Sequence, residues 1–254
     1  MQLEKHLAQG HLVYLSQADD AISVSENAYF RWMSFSNVVQ SVMHKRKPWQ
    51  LTLPHQTALL LPLLFFRPNH ILQLGLGGGN LDRYLTHLSS DISLTSVEMS
   101  TKVIECFNQY FNPENANIEI INSDGLQWLE TQEEQFFDWI ICDIYKDDTL
   151  PFSNTIKQLE QITSKIHEHA CASINLPDVS DDEVNLALTV LQQLLPEHQL
   201  VYFHIPNYLN IVIHLCPAHW QVDSLVKNNK QSYLPKRIYK HWRKFWLHGK
   251  IIKK

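Results

Sequence analysis

The sequence predicts an α/β protein: a mostly parallel sheet covered by helices, preceded by a small antiparallel β-domain. From about residue 54 onward, short continuous apolar runs alternate with helical patterns, which is typical of a parallel sheet with both faces buried. The first fifty residues differ. They contain four short β-type runs, at 11–15, 21–24, 29–33 and 38–43, separated by polar clusters. Together, the two patterns indicate a small antiparallel sheet followed by a larger α/β unit.

The elements of the larger unit follow one another through residue 215. Helices are predicted near residues 54–66, from 81 onward, and at 101–111, 154–168 and 181–194. Strands are predicted at 71–74, 93–97, 118–121, 139–142, 172–175, 200–204 and 211–215. Ser153 and Ser180 stand where helix N-caps are expected. Seven strands alternating with helices predict a Rossmann-like sheet.

The composition excludes several classes of protein. No segment reaches the roughly 18 apolar residues that a membrane span requires. The N-terminal stretch MQLEKHLAQG lacks the apolar core of a secretory signal, so we expect a cytoplasmic protein. None of the four cysteines has C-x-x-C spacing, and His167 and His169 are two residues apart, which does not place them on one helix face. We therefore expect neither a disulfide framework nor a metal site.

Four of the seven glycines of the chain lie in one stretch, ILQLGLGGGNL, at residues 71–81. It follows the first strand of the α/β unit and precedes a helix, where open α/β sheets bind ligands. Gly75, Gly77 and Gly79 give the spacing G-x-G-x-G, whereas Asn80 breaks the dinucleotide pattern G-x-G-x-x-G. No P-loop Gly-Lys-Ser/Thr is present. The stretch predicts a nucleotide-like cofactor; the alternative is a tight turn without a ligand.

Acidic residues follow the next three strands. Glu98, about 20 residues past the glycines, can accept hydrogen bonds from both ribose hydroxyls. Asp124 can bind an adenine amino group, with Gly125 leaving room for the ring, and Asp143 is predicted to project over the same crevice. A solvated glutamate, an Asp-Gly turn and a loop cap are the respective structural alternatives. The four strand ends together predict a pocket for an adenosine-bearing ligand with one extra carboxylate beside it.

At this point the sequence resembles the spermidine synthase-like polyamine aminopropyltransferases, which have the class I S-adenosylmethionine-dependent methyltransferase fold. The resemblance extends over roughly residues 20–216. It is carried by the segments NVVQS (37–41), VEMSTKVIECFNQYF (97–111), NSDGLQWL (122–129), FDWIICDIYKDD (137–148) and IPNY (205–208). It implies a seven-stranded sheet with an antiparallel last strand, a homodimer, and aminopropyl transfer from decarboxylated S-adenosylmethionine to an amine.

The resemblance also implies roles for single residues. Glu98 would contact the ribose and Asp124 and Gly125 the adenine, while Asp143 would be the catalytic carboxylate. The remaining residues implied to line the cofactor and amine sites are Gln40, His55, Gln56, Asp147 and Tyr208.

Three positions depart from the family pattern. The family's glycine motif has an aspartate where this chain has Gly78, and its second active-site aspartate is here Lys146. The family's tyrosine is here His55. Asp147 and Asp148 are positioned to compensate in part for the carboxylates that would hold a cationic diamine.

These departures leave three functions open. The first is aminopropyl transfer, as in polyamine biosynthesis. The second is methylation of a small molecule with S-adenosylmethionine, which uses the same electrophile and geometry. The Asn/Asp-Pro-Pro-Tyr/Phe motif of many amino-group methyltransferases is absent after residue 142, which counts against methylation of nucleobases and glutamine. The third is non-catalytic binding of S-adenosylmethionine or methylthioadenosine.

The C-terminal segment is strongly basic. Residues 227–254 contain ten Lys/Arg and no Asp/Glu, which leaves eleven basic and 26 acidic residues, a net charge of −15, in the rest of the chain. Residues 234–246 have a helical period with an apolar stripe of Leu234, Ile238, Tyr239, Trp242, Phe245 and Trp246. Such a helix fits docking on the acidic body or a partner subunit, contact with an anionic membrane surface, or nucleic-acid binding. The predicted division is therefore a β-domain (1–50), a Rossmann-like domain (51–218) and a basic tail (219–254).

Overall fold

The computed structural model describes residues 3–16, 21–36, 38–116, 118–132, 136–144, 151–222, 224, 226 and 234–252. Its strands form two sheets. The strands are β1 (His11–Leu15), β2 (Ile22–Glu26), β3 (Phe30–Phe35), β4 (Val38–His44), β5 (His70–Leu74), β6 (Ser93–Glu98), β7 (Glu119–Asn122), β8 (Trp139–Cys142), β9 (Cys171–Leu176), β10 (His198–His204), β11 (Ile211–Pro217) and β12 (Lys250–Ile251). The α-helices are α1 (Leu3–Leu7), α2 (Pro54–Leu59), α3 (Asn80–Leu88), α4 (Thr101–Cys106), α5 (Gly125–Glu130), α6 (Phe152–Thr163), α7 (Asp181–Leu194) and α8 (Lys236–Trp246).

The first four strands form an antiparallel meander in the order β1-β2-β3-β4, as the sequence predicts. The second sheet has the order β12-β10-β11-β9-β8-β5-β6-β7. Strands β5 to β9 are parallel, and β11 lies antiparallel between β9 and β10, which confirms the expected antiparallel strand. Among the described residues this sheet has eight strands rather than seven, because β12 adds to the outer edge through Val201 and Tyr202.

Helices cover both faces of the large sheet. On one face α2, α3 and α8 contribute Leu59, Leu85 and Trp246 to the core, together with a 3₁₀ helix (Leu61–Leu64). On the other face α5, α6 and α7 contribute their apolar sides, such as Leu159. The small sheet packs against α4 and the glycine stretch, because Met43 of β4 shares an apolar cluster with Val103 and Leu76. No described helix is long and apolar enough to cross a membrane.

Several predicted boundaries need correction. Helix α6 begins at Phe152 after an extended Pro151, so Ser153 is inside the first turn and is not the N-cap. It ends at Thr163, before the predicted 168. Ser180 is the N-cap of α7 and forms a capping box with Glu183, as expected. The predicted helix 101–111 is α-helical to Cys106 and finishes as a π-helix (Phe107–Phe111).

The C-terminal helix is docked on the body of the chain. The side chains of Trp242 and Trp246 are buried in the core, and Trp246 lies against Phe65 and Phe203 with ring centroids 5.0 and 5.5 Å apart. Gly249 follows this helix at a close approach, because a Cβ there would lie 2.6 Å from the Phe203 ring. The apolar stripe of the tail therefore belongs to the chain's own core, and its basic face is exposed.

A chain of buried polar groups crosses the sheet beneath α2. The Trp139 indole N–H donates to Ser173 Oγ (2.9 Å), and Ser173 Oγ is 2.8 Å from His214 Nδ1. His214 Nε2 donates to the Ala58 carbonyl at 3.0 Å. The Ala58 carbonyl can only accept, so Nε2 of His214 carries a proton. Burial lowers the pKa of His214 to about 3, and the imidazole is therefore neutral at pH 7.

This histidine predicts a loss of stability in mild acid. The unfolded chain binds a proton at His214 below pH ~6.5, whereas the folded chain does not until about pH 3, so stability is lost as the pH falls through this window. We expect about 1 kcal/mol of unfolding free energy to be lost at this site between pH 6 and 5. Urea unfolding at pH ~6 and at pH ~5 measures this loss of unfolding free energy. The pH dependence should become shallower in His214→Gln and stay unchanged in His241→Gln, an exposed histidine of α8. Equal slopes in all three proteins would contradict the assignment.

Candidate active site

The glycine stretch forms a tight loop between β5 and α3. Gly75, Gly77 and Gly79 have φ values of +91°, +53° and +63°, a backbone region that residues other than glycine rarely adopt. A Cβ on Gly75 would lie 2.4 Å from the Asp143 carbonyl oxygen, and one on Gly79 would lie 2.2 Å from the Phe107 ring. Gly77 is partly exposed and has nothing closer than 3.9 Å. Protein atoms thus pack closely against the loop at Gly75 and Gly79. At Gly77 the loop is open, and a ligand can approach the main chain there.

The small sheet and a buried arginine hold this loop in place. Ser41 Oγ on β4 accepts the Gly78 N–H (3.0 Å) and donates to Asn80 Oδ1 (2.7 Å). A Cβ on Gly78 would lie 2.6 Å from that Oγ, so Ser41 occupies the space that the family's aspartate would need. From below, the Arg83 guanidinium donates to the Gly78 carbonyl and to the Phe111 carbonyl, and burial lowers its pKa to about 10.

Glu98 ends β6 directly beside the loop. Its Oε2 accepts the Leu76 N–H at 3.1 Å, and its Oε1 accepts the Ser100 N–H at 2.9 Å. The carboxylate is only partly buried. Since an ionised carboxylate has about four acceptor sites, two remain for a ligand. The side chain is therefore held in the loop wall while it can still accept further hydrogen bonds.

Asp124 and Gly125 lie at the end of β7. Asp124 is the N-cap of α5, and its Oδ1 accepts the N–H groups of Leu126 and Gln127 at 3.0 and 2.9 Å. A Cβ on Gly125 would touch Leu74 Cδ2 at 3.3 Å, which places this turn against the end of β5. One oxygen of Asp124 is thus used within the fold, in a helix that the sequence prediction did not contain.

Asp143 follows β8 and lies next to Gly75. Its N–H donates to the Leu74 carbonyl at 2.9 Å, which continues the pairing of β8 with β5. Its Oδ1 accepts a hydrogen bond from the Asn175 amide on β9 at 2.8 Å. His55 from α2 also interacts with Asp143; burial lowers the pKa of the imidazole and the carboxylate partly opposes this shift. The buried Nδ1 of His55 has no hydrogen-bond partner among the described residues.

The other residues implied by the family resemblance lie on β4, on α2, in the turn between β10 and β11, and outside the described residues. Gln40 is a half-buried residue of β4 where the pairing with β3 shifts register. Gln56 is buried, and its Oε1 accepts the N–H groups of Thr52 and Leu53, so its carbonyl caps α2. Tyr208, 38% exposed, is in the turn between β10 and β11. Asp147, like Lys146 and Asp148, lies outside the described residues.

Sequence reasoning missed three residues that hold the site together. Ser41 fixes the glycine loop, and Asn175 with Asn210 supports Asp143. Asn175 carries the same signal as the acidic residues, because it is a polar side chain at the end of an apolar strand. Ser41 carries no such signal, since only the packing of the two sheets brings it to Gly78. Within the described part of the chain, no three His, Cys, Asp or Glu side chains are grouped as metal ligands.

Comparison with known proteins gives the same family. The model of the spermine/spermidine synthase domain matches residues 50–228. A probable polyamine aminopropyl transferase of Bifidobacterium longum is 31% identical over 155 residues, which are 59% of this chain and 34% of the relative. The chain therefore spans about a third of the length of this curated relative.

Two solved structures share the fold. A probable spermidine synthase from Corynebacterium glutamicum superposes with a TM-score of 0.68 at 18% identity, over 81% of this chain and 79% of that chain. A spermidine synthase in complex with the transition state analogue AdoDATO has a TM-score of 0.63 at 18% identity, over 91% and 84% of the two chains. At such identities the structures report on the fold, whereas the domain model covers well over half of the sequence. The chain belongs to the spermine/spermidine synthase domain family.

Proposed function

We propose that this protein transfers an aminopropyl group from decarboxylated S-adenosylmethionine to an amine, a reaction of polyamine biosynthesis. The observation that carries the proposal is the close approach of the Asp143 main chain to Gly75: the strand end that bears the extra carboxylate packs directly on the loop that would hold the donor. An amine attack on a bound sulfonium requires a base next to the loop that holds the donor.

The charges around the crevice support a donor without a carboxylate. Glu98, Asp124 and Asp143 are all acidic, and no ion pair joins any of them to a lysine or arginine within the described part of the chain. The carboxylate of S-adenosylmethionine would meet like charges there, whereas the decarboxylated donor brings only cationic groups. This favours aminopropyl transfer over the alternative of small-molecule methylation.

In the reaction, the amine nitrogen attacks the aminopropyl carbon bonded to the sulfonium sulfur. The carbon–sulfur bond breaks, and its electron pair leaves with methylthioadenosine, a neutral thioether that requires no acid. An alkyl amine with a pKa near 10 is mostly protonated at pH 7, so the nucleophile must lose a proton. Asp143 orients the amine and accepts this proton. Glu98 holds the ribose, and Asp124 with Gly125 holds the adenine, while Gln40, His55, Gln56 and Tyr208 line the remainder of the site.

Calorimetry with three nucleosides tests the donor assignment. We expect methylthioadenosine and decarboxylated S-adenosylmethionine to bind, and S-adenosylmethionine to bind at least about tenfold more weakly, because Glu98, Asp124 and Asp143 would repel its carboxylate. Equal or tighter binding of S-adenosylmethionine would favour methylation instead. Binding of all three without any transfer would favour the non-catalytic alternative.

The ribose contact can be tested on its own. Glu98→Ala should weaken methylthioadenosine binding by about 1.5–3 kcal/mol, the range for hydrogen bonds to a charged group. Calorimetry on the folded variant measures this loss. Glu105→Ala is the matched control, because Glu105 is an exposed glutamate of α4 whose ion-pair partner is Lys102. Unchanged affinity in Glu98→Ala would remove the ribose assignment.

The acceptor is expected to be less cationic than a diamine. A diammonium substrate needs a carboxylate near each end, since an unpaired buried cation is costly. Two carboxylates of the family pattern are here Gly78 and Lys146, and Ser41 fills the space beside Gly78. We expect poor turnover of putrescine relative to a less cationic amine.

Lys146→Asp tests this expectation about the acceptor. The substitution should raise the turnover of putrescine, because it restores one carboxylate of the family pattern. The measurement is a steady-state assay with decarboxylated S-adenosylmethionine on both proteins. Vigorous putrescine turnover by the unmodified chain would show that this expectation about Lys146 is wrong and that activity toward diamines survives the departures from the family pattern.

Finer expectations complete the proposal. The enzyme works as a cytoplasmic homodimer, with the division at residues 50 and 218 given above. The exposed basic face of α8, formed by Lys236, Arg237, Lys240 and Lys244, is a surface for an anionic partner. The acidic body of a second subunit, an anionic membrane and nucleic acid each have the required charge. Sedimentation velocity of the purified protein tests whether two subunits associate.

A further inference from the structure

The carboxylate of Asp143 is held by a chain of two amides. Asn175, the fifth residue of β9, donates to Asp143 Oδ1 at 2.8 Å. The Asn210 amide donates in turn to Asn175 Oδ1 at 3.0 Å. Asn175 is buried and pairs across the sheet with Val212, so its backbone is fixed by the ladder of β9 and β11.

The outer amide decides how the inner one is oriented. Because Asn210 donates to the carbonyl oxygen of Asn175, the NH₂ group of Asn175 must face Asp143. Asn210 is itself held at the end of the β10–β11 turn, where its carbonyl accepts the Ile205 N–H at 3.0 Å. The neighbouring Leu209 carbonyl accepts the Asp178 N–H at 3.1 Å, which ties the turn to the segment after β9.

We propose that Asn175 and Asn210 are positioning residues for Asp143. This inference rests on the proposed function. Their amide chain engages Oδ1 of Asp143 and leaves Oδ2 for the acceptor amine, so that the carboxylate has one orientation during attack. The same chain links the base to the turn that carries Tyr208, on the acceptor side of the crevice.

The test compares Asn175→Ala and Asn210→Ala with Asn185→Ala, an exposed asparagine of α7. We expect Asn175→Ala to lower kcat about 10- to 100-fold, as for a misplaced catalytic group. The affinity for methylthioadenosine should stay unchanged, so that the loss appears in kcat and not in donor binding. Asn210→Ala should show smaller effects in the same direction, and it serves if Asn175→Ala does not fold. An unchanged kcat in both variants, or an affinity that falls in parallel with kcat, would overturn the proposal.

A second readout separates this proposal from the proposed function. Crystal structures of Asn175→Ala and of the wild-type protein show the orientation of the Asp143 carboxylate without any turnover. A carboxylate that leaves its wild-type orientation in Asn175→Ala supports the amide chain even if no aminopropyl product forms. An unmoved carboxylate would overturn it, whatever the activity.

Discussion

Asparagine in place of Asp143 should lower turnover by about 10²-fold or more, while methylthioadenosine binds as before. The substitution keeps the shape of the side chain and an oxygen that can accept from Asn175, so the fold around β8 is preserved. It removes the negative charge and the group that accepts the proton of the amine. Because methylthioadenosine is a neutral thioether and the proposal has it bound through the loop and Glu98, we expect its affinity to be independent of this charge.

Steady-state kinetics and calorimetry on the same preparation separate the two effects. Asp178→Asn is the control, since Asp178 is an exposed aspartate just after β9. It should retain wild-type turnover. Equal turnover in wild type and Asp143→Asn would end the assignment of Asp143 as the base, and a parallel loss of methylthioadenosine affinity would make it a binding residue instead.

The second large effect is expected at Gly75. Alanine there would have to adopt a φ near +91° and place its Cβ 2.4 Å from the Asp143 carbonyl oxygen. The clash is with main chain, which cannot rotate away, so the end of β8 must shift. We expect Gly75→Ala to lose at least about 1–3 kcal/mol of unfolding free energy from backbone strain. Turnover should fall further, because Asp143 moves with β8.

Gly77→Ala provides the matched comparison. Its φ is also positive, but the nearest atom to a Cβ there is Ser41 Oγ at 3.9 Å. In Gly77→Ala the backbone should be strained while Asp143 stays in place. The new methyl group should hinder ligand binding without disturbing the end of β8. Urea unfolding and calorimetry on both variants measure the difference. Equal losses of stability would show that the contact between Gly75 and Asp143 is not a constraint on the fold.

The strand ends of the α/β unit could be predicted from the sequence because its apolar runs are short and clearly bounded. Glu98 and Asp143 are each the first acidic residue after such a run, and parallel strands bring such residues to one edge of the sheet. The structure places both beside the glycine loop. Their roles in binding and catalysis stay predictions until the variants are measured.

Other parts of the fold depend on contacts that local sequence does not encode. Strand β12 is two residues long inside a basic tail, and it exists because α8 docks and returns the chain to β10. Helix α5 begins at a glycine and is only six residues long, so its period is weak. Ser153 fails as an N-cap because Pro151 is already extended and takes the N-cap position, so that the helix begins two residues earlier than predicted.

The conformation of the loop itself requires the glycines of residues 71–81. The sequence alone could not distinguish this structural requirement from a requirement for ligand binding. Three of its glycines have positive φ, and Gly78 is excluded from carrying a side chain by Ser41. The loop would need these glycines even with no ligand. Support for a ligand comes instead from the open side at Gly77 and from the spare acceptor sites of Glu98.

Product analysis tests the central claim most directly. The purified protein is incubated with decarboxylated S-adenosylmethionine and a panel of amines, and in parallel with S-adenosylmethionine, and the products are identified by mass spectrometry. We predict methylthioadenosine in equal amount to an aminopropylated amine, and the loss of both in Asp143→Asn. S-adenosylhomocysteine with a methylated acceptor, or no product from any amine despite bound donor, would contradict the proposal that this chain is an aminopropyltransferase.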